Sequence, residues 1–203
     1  MISTAEREVF AMRGQRFMRW ARGILIFSGV VSLTYVALTL LGARLYQQDA
    51  TQLLEKQILE NKRHAAGLSG PPVKEGEVLG RLEIPRIGMS VIVLQGTTSQ
   101  TLRLGVGHII GTALPGETGN IGIAGHRDTY FRILKDIHIN DEILLQTASG
   151  IAKYDVDWVQ ITDPADGGIV SAGTESSLTL VTCYPFHYIG AAPERFVVHA
   201  HRQ

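Results

Sequence analysis

The chain has 203 residues, with 19 Lys+Arg balanced by 19 Asp+Glu, and 45% of it is hydrophobic. That apolar share excludes an intrinsically disordered chain. Zero net charge provides no cationic surplus for phosphate binding and argues against a nucleic-acid partner. A single Cys excludes an intrachain disulfide framework and any multi-cysteine zinc site.

The first element is apolar. Gly23 to Ala43 is a run of 21 residues without a charge, and a helix of that length at ~1.5 Å per residue spans the ~30 Å hydrocarbon core of a bilayer. The run exceeds the h-region of a cleaved signal peptide, and Leu41-Gly42-Ala43 is a poor cleavage site. It also lacks the charged face of a core helix in a soluble protein. The expectation is an uncleaved signal anchor over residues 23–43, behind a cytoplasmic tail of residues 1–22. Arg7, Arg13, Arg16, Arg19 and Arg22 precede it, opposed only by Glu6 and Glu8. This bias keeps the N-terminus in the cytoplasm and places everything from about Arg44 outside.

Next, Leu45 to about Ala66 is rich in helix formers, with Leu54 and Ile58 on one side. It reads as a solvated helical stalk, too short in its pattern for a coiled coil. Gly67 to Gly80 concentrates Gly and Pro and reads as a linker, so residues 44–79 connect the anchor to a folded domain over 80–203. From Arg81, short runs rich in Val, Ile, Leu and Thr alternate with turn residues. Strands are expected at Arg81–Ile84, Met89–Gln95, Asn120–Gly125, Glu142–Thr147, Ile151–Thr162, Ser177–Cys183 and Arg195–His201. Only short helical pieces intervene, near Ser99–Leu104 and Tyr130–Asp136. This predicts an all-β barrel or sandwich.

Cys183 closes the run Ser177–Cys183, and Tyr184-Pro185 then forces the chain out of regular pairing. A free Cys is usually a small buried hydrophobe. This one lies at a strand end, in a compartment where a thiol without a partner in its own chain is worth suspecting as reactive. A nucleophilic thiol needs a base or cationic neighbour, because the thiolate is the attacking species. His126 ends its own apolar run, Ile121–Gly125, where Gly125 allows close backbone approach. His64 falls in the stalk, His187 in a Tyr/Pro/Phe-rich loop, and His108 and His138 in settings that favour structural roles. His199 and His201 share one face of the last strand, and with no clear third ligand a solvated face is expected rather than a metal site. Arg195 is unremarkable alone. Beside a Cys and a His, its guanidinium offers fixed donors for the oxyanion of acyl transfer.

These residues resemble the sortase family of membrane-anchored cysteine transpeptidases. Thr179-Leu180-Val181-Thr182-Cys183 is similar to the family's TLxTC signature, and Ala124-Gly125-His126-Arg127-Asp128 to its histidine motif. Arg195 follows the Cys by 12 residues, and His126 precedes it by 57. Gly111–Asp128 and Thr179–Phe186 look most like class D members, with parts shared by classes C and E. The resemblance implies an eight-stranded β-barrel whose Cys183 attacks the carbonyl after Thr in an LPxT-type sorting signal. It implies His126 as proton donor and acceptor, and Arg195 on the substrate backbone and oxyanion. Thr182 would support the substrate or the oxyanion hole. An amine of a peptidoglycan precursor or pilin would resolve the acyl enzyme.

Neither a cofactor nor a metal is expected. Asp128 and the Glu residues form no dense acidic cluster for calcium. Leu114–Gly119 imitates a sorting signal but has one residue too many between Pro and Thr, and reads as a turn. Among rivals, an L,D-transpeptidase would carry its Cys in an HGC-type cluster, and a papain-like peptidase on a helix. The non-enzyme alternative is an exported β-barrel binding module with a structural Cys.

Overall fold

The computed structural model describes residues 4–63, 74–170 and 175–203. The chain divides between Arg44 and Leu45 into two units. Helix α1 runs over Thr4–Arg63. It crosses that boundary: a segment long and apolar enough to cross a membrane begins at Ile24 in the first unit, where large side chains such as Leu25, Phe27 and Leu33 are more than 70% exposed. An apolar helical face without protein cover is what a bilayer, not water, would solvate.

The second unit is a closed barrel of eight strands: β1 (Val78–Ile84), β2 (Met89–Gln95), β3 (Val106–His108), β4 (Asn120–Gly125), β5 (Glu142–Thr147), β6 (Gly150–Thr162), β7 (Ser177–Tyr184) and β8 (Glu194–Arg202). Their order around the barrel is β1-β2-β3-β4-β7-β8-β6-β5. Most neighbours are antiparallel, but β2–β3 and β4–β7 are parallel. The short helical pieces lie where the sequence predicts them, as helix α2 (Ser99–Leu104) and a 3-10 segment at Tyr130–Asp136. Thr98 caps α2 by accepting the Thr101 N–H.

Alternation along each strand fills the interior. Leu82 and Ile84, Val91 and Val93, Ile121 and Ile123, Leu178 and Leu180, and Val198 and Ala200 all join one buried cluster, closed at one end by Phe131 and Leu134. Closure leaves the barrel without a free sheet edge.

Two expectations need correction. The seven expected strands omit β3, a three-residue strand between Gly105 and the loop after His108. The stalk is not uniformly solvated either. Ala50 and Leu54 are buried against Ile92 and Leu94, with Tyr46, Val78 and Leu104 packed around them. Gln47 reinforces the contact: its carbonyl oxygen accepts the Ile92 N–H at 3.0 Å, and its amide donates to the Leu104 carbonyl. This stretch of α1 is therefore an outer layer of the barrel. Residues 64–73 of the stalk and linker, with His64, lie outside the described residues. By Gly76 the chain is already paired, its N–H donating to the Gln95 carbonyl at 2.8 Å.

Candidate active site

Three adjacent strands bring the sequence-predicted residues to one end of the barrel. Strand β4 runs parallel to β7 with Gly125 opposite Thr182. His126 and Cys183 are the next residue on each, one step beyond a paired position on neighbouring strands. On the other side of β7, Cys183 is directly opposite Arg195. Alternation sets the facing. Leu178, Leu180 and Thr182 look into the barrel, so Thr179, Val181 and Cys183 look out, and Arg195 and Val197 share that outer face on β8.

Each strand end is held locally. The Thr182 hydroxyl is buried and donates to the Gly125 carbonyl at 2.8 Å, locking β7 to β4 immediately before the thiol and the imidazole. Thr182 is thus engaged in the barrel wall, and its side chain belongs to the strand junction. The His126 carbonyl accepts the Phe131 N–H at 3.2 Å, which ties the loop after β4 to the 3-10 segment. Gly125 does permit a close approach, though by a ring and not by backbone: a Cβ there would lie 2.6 Å from Phe131 Cδ2. Beside the cis Tyr184-Pro185 bond, Tyr184 and Phe196 stack at 6.3 Å, and Phe186 meets them edge-on at 5.9 and 5.1 Å.

Among the described residues, the Cys183 thiol and the His126 ring have no hydrogen-bond partner, an arrangement common in free enzymes whose catalytic contacts tighten only around substrate. Cys183 is half-buried. The Arg195 guanidinium donates through Nη1 to the Glu194 carbonyl at 3.0 Å and the Ala192 carbonyl at 3.4 Å. Among the described residues its other donors make no hydrogen bond. A thiol, an imidazole and a guanidinium at one end of three adjacent strands are the group types that acyl transfer uses as nucleophile, proton carrier and oxyanion donor.

The remaining histidines sit elsewhere. His108 is buried on β3, bonded to Gln95, Thr112 and the Ala113 carbonyl, and burial lowers its pKa despite the Ala113 bond. His138 accepts from Arg86 at 2.8 Å in the Arg86–Asp141 cluster. The face carrying His199 and His201 is more ordered than a solvated strand: both imidazoles engage Asp157, and His199 stacks on Trp158 at 5.0 Å. A register shift in the β6–β8 pairing between Val156 and Trp158 brings Asp157 to them, which strand alternation could not reveal. A cleft of about 460 Å³ between α1 and β1–β2 is lined by Gln47, Thr51, Arg81 and Ile92, and includes none of the three candidate catalytic residues.

Sequence reasoning missed Arg127. Its Nη2 donates to the carbonyls of Tyr188 and Gly190, each at 2.9 Å, and its guanidinium lies 5.7 Å over the Tyr188 ring. Only its position in the motif beside His126 could have drawn attention to it.

The structure is thus a closed mixed β-barrel with a free cysteine at a strand end, between the strands that lead to His126 and carry Arg195. A family model described as the sortase domain matches residues 82–203, and the chain belongs to the sortase family of cysteine transpeptidases. It is 37% identical over 128 residues to sortase D of Bacillus subtilis (strain 168), covering 63% of this chain and 65% of that relative, just under two thirds of its length. A Clostridium perfringens sortase D5 transpeptidase superposes with a TM-score of 0.66 at 26% identity, covering 78% of this chain and 98% of the other. A Clostridium perfringens sortase C, solved with the C-terminal cell wall sorting motif, gives 0.60 at 26% identity, covering 77% and 89%.

Proposed function

We propose that this chain is a membrane-anchored transpeptidase that cleaves an LPxT-type sorting signal after Thr and transfers the new acyl group to an amine of the cell envelope or a pilin. The observation that carries the reading is the register: Gly125 faces Thr182, and Cys183 faces Arg195. In the first half-reaction the Cys183 thiolate attacks the Thr carbonyl carbon. The oxyanion that forms is met by donors of Arg195, the C–N bond breaks, and His126 protonates the departing amine. In the second, an amine attacks the thioester carbonyl, His126 takes its proton, and the Cys183 sulfur leaves. Thr182 supports the site by holding the end of β7 in place.

The sortase membership and the apolar α1 support a single-pass arrangement. Residues 1–22 are the cytoplasmic tail, 23–43 the anchor, 44–79 the connecting helix and linker, and 80–203 the catalytic domain outside the cytoplasmic membrane. The arginines before the span supply the bias that retains the N-terminus inside.

The test uses the full chain in detergent, because residues 46–54 of α1 pack on the barrel. It is mixed with LPxTG- and LPxTA-type peptides and an amine, and products are read by mass spectrometry. The expected result is an acyl adduct on Cys183 that is absent in Cys183→Ala, with amide product lost in His126→Ala. No adduct across a diverse peptide set, with Cys183 also inert to alkylation, would favour a binding module with a structural Cys.

A further inference from the structure

Resting on the reading of Cys183, His126 and Arg195 as catalytic groups, we infer that Arg127 is a positioning residue that clamps the loop between β7 and β8, and through it Arg195, against the segment carrying His126. The loop, residues 185–193, leaves the strand immediately after Tyr184 and returns as the strand that presents Arg195. It contains bends but no hydrogen-bonded turn, and among the described residues none of its members makes a backbone–backbone hydrogen bond. His187, Tyr188, Ile189, Gly190 and Ala191 are all exposed. Such a stretch has few internal restraints and much conformational freedom to lose.

Its polar tethers come from two arginines. Arg127 reaches across from the His126 segment and holds the carbonyls of Tyr188 and Gly190 with one nitrogen, while its Cζ lies over the Tyr188 ring at 5.7 Å from the centroid. Arg195 holds the carbonyls of Ala192 and Glu194. The same loop is therefore gripped at its tip by Arg127 and at its end by Arg195. The Nη1 of Arg127 is enclosed without a hydrogen-bond partner among the described residues. An enclosed donor left bare is uncommon and costs stability. The group is placed by the loop carbonyls and the ring rather than by satisfaction of all its donors. A flat guanidinium suits this geometry, since it can bond in its plane while stacking through its face, and an ammonium cannot do both.

Arg195 would meet the oxyanion, so looseness in its loop acts on the transition state more than on substrate binding. In the full chain in detergent, Arg127→Ala is expected to lower kcat for an LPxT-type peptide and amine by roughly 10–100-fold, the scale of a small misplacement of a catalytic group, with KM changed less than ~3-fold. Arg127→Lys should recover only part of kcat. Alkylation of Cys183 by iodoacetamide forms no oxyanion, so the thiol should stay reactive in Arg127→Ala while kcat falls. Cleavage by chymotrypsin after Tyr188 should quicken in Arg127→Ala whether or not a peptide substrate has been found, because the arginine holds that residue's carbonyl.

Unchanged kcat in Arg127→Ala, or full recovery by Arg127→Lys, would overturn the inference. So would loss of Cys183 alkylation and of cooperative unfolding in both variants, which would make Arg127 a folding residue. If the parent protein forms no acyl adduct, the transpeptidase reading falls by itself. The clamp then stands or falls on the rate of chymotryptic cleavage after Tyr188, and an unchanged rate in Arg127→Ala overturns it.

Discussion

Gly125→Ala places one methyl at the junction of core and site. Gly125 is buried, and its backbone conformation is one that alanine can adopt, so the perturbation is purely one of space. The new Cβ would lie 2.6 Å from Cδ2, 2.8 Å from Cγ and 3.0 Å from Cε2 of Phe131. Carbon atoms settle ~3.5–4.0 Å apart, so the ring must retreat by about 1 Å. Phe131 is 0% exposed and packed among the barrel's core residues, and overpacking of this kind costs ~1–3 kcal/mol. The Phe131 N–H also donates to the His126 carbonyl, so the ring's retreat pulls on the backbone of the proposed proton carrier. A displacement on that scale lowers the rate by up to ~100-fold. The assay pairs thermal unfolding with transpeptidation by Gly125→Ala, Phe131→Leu and the double variant. The smaller Leu vacates the space the methyl needs, so the double variant should be more stable, and faster, than the sum of the single changes predicts. A Gly125→Ala protein with parental melting and kcat, or strict additivity with Phe131→Leu, would refute the reasoning.

Leu54→Ala should destabilise the barrel unit by ~2–5 kcal/mol, because Leu54 is 1% exposed against Ile92 and Leu94; urea unfolding measures it, and a solvated stalk would show no loss. Acid should act in two windows. Burial holds the pKa of His108 below 6.5. The Arg86 hydrogen bond, aided by the His138 N–H, holds that of Asp141 below 3.8. Both values are depressed in the folded state, so each group contributes stability that is present above its unfolded pKa and lost as pH falls through its folded one. Melting temperature should hold down to about pH 6.5, decline as His108 is forced to charge, and decline again below about pH 4. His108→Gln should flatten the first decline and leave the second.

The legible parts of this molecule are those governed by local periodicity. Most strands show as runs of β-branched residues with turn punctuation, and Cys183, His126 and Arg195 show as strand-end residues in motif order. What was illegible depends on tertiary contact. Strand β3 is three residues flanked and interrupted by glycine, and those glycines exist for its neighbours: a Cβ on Gly107 would meet the Gly96 carbonyl at 2.2 Å. The covered face of α1 is a stripe of Tyr46, Ala50 and Leu54 at helical spacing, in which only Leu54 is strongly apolar. Arg127 lies in a charged, turn-like motif, and the carbonyls it holds are about sixty residues away.

The site tolerates no slip, because a shift of one residue on β7 would turn Cys183 into the core and Thr182 out. The barrel's irregularities fall elsewhere. Pairing breaks step between Val78 and Gly80 on β1 and between Val156 and Trp158 on β6. The β4–β7 ladder runs unbroken from Asn120–Ser177 to Gly125–Thr182, and β7–β8 runs unbroken from Ser177–His201 to Tyr184–Glu194. A bulge locally increases twist and bends its strand, so this closed barrel places its curvature outside the β4–β7 and β7–β8 ladders that align the candidate residues. Inserting one residue into β6 near Asp157 should then leave transpeptidation within a few-fold of the parent. The same insertion between Val181 and Thr182 should abolish it while Cys183 becomes inaccessible to alkylation, because the outward row would end on Thr182 instead of the thiol.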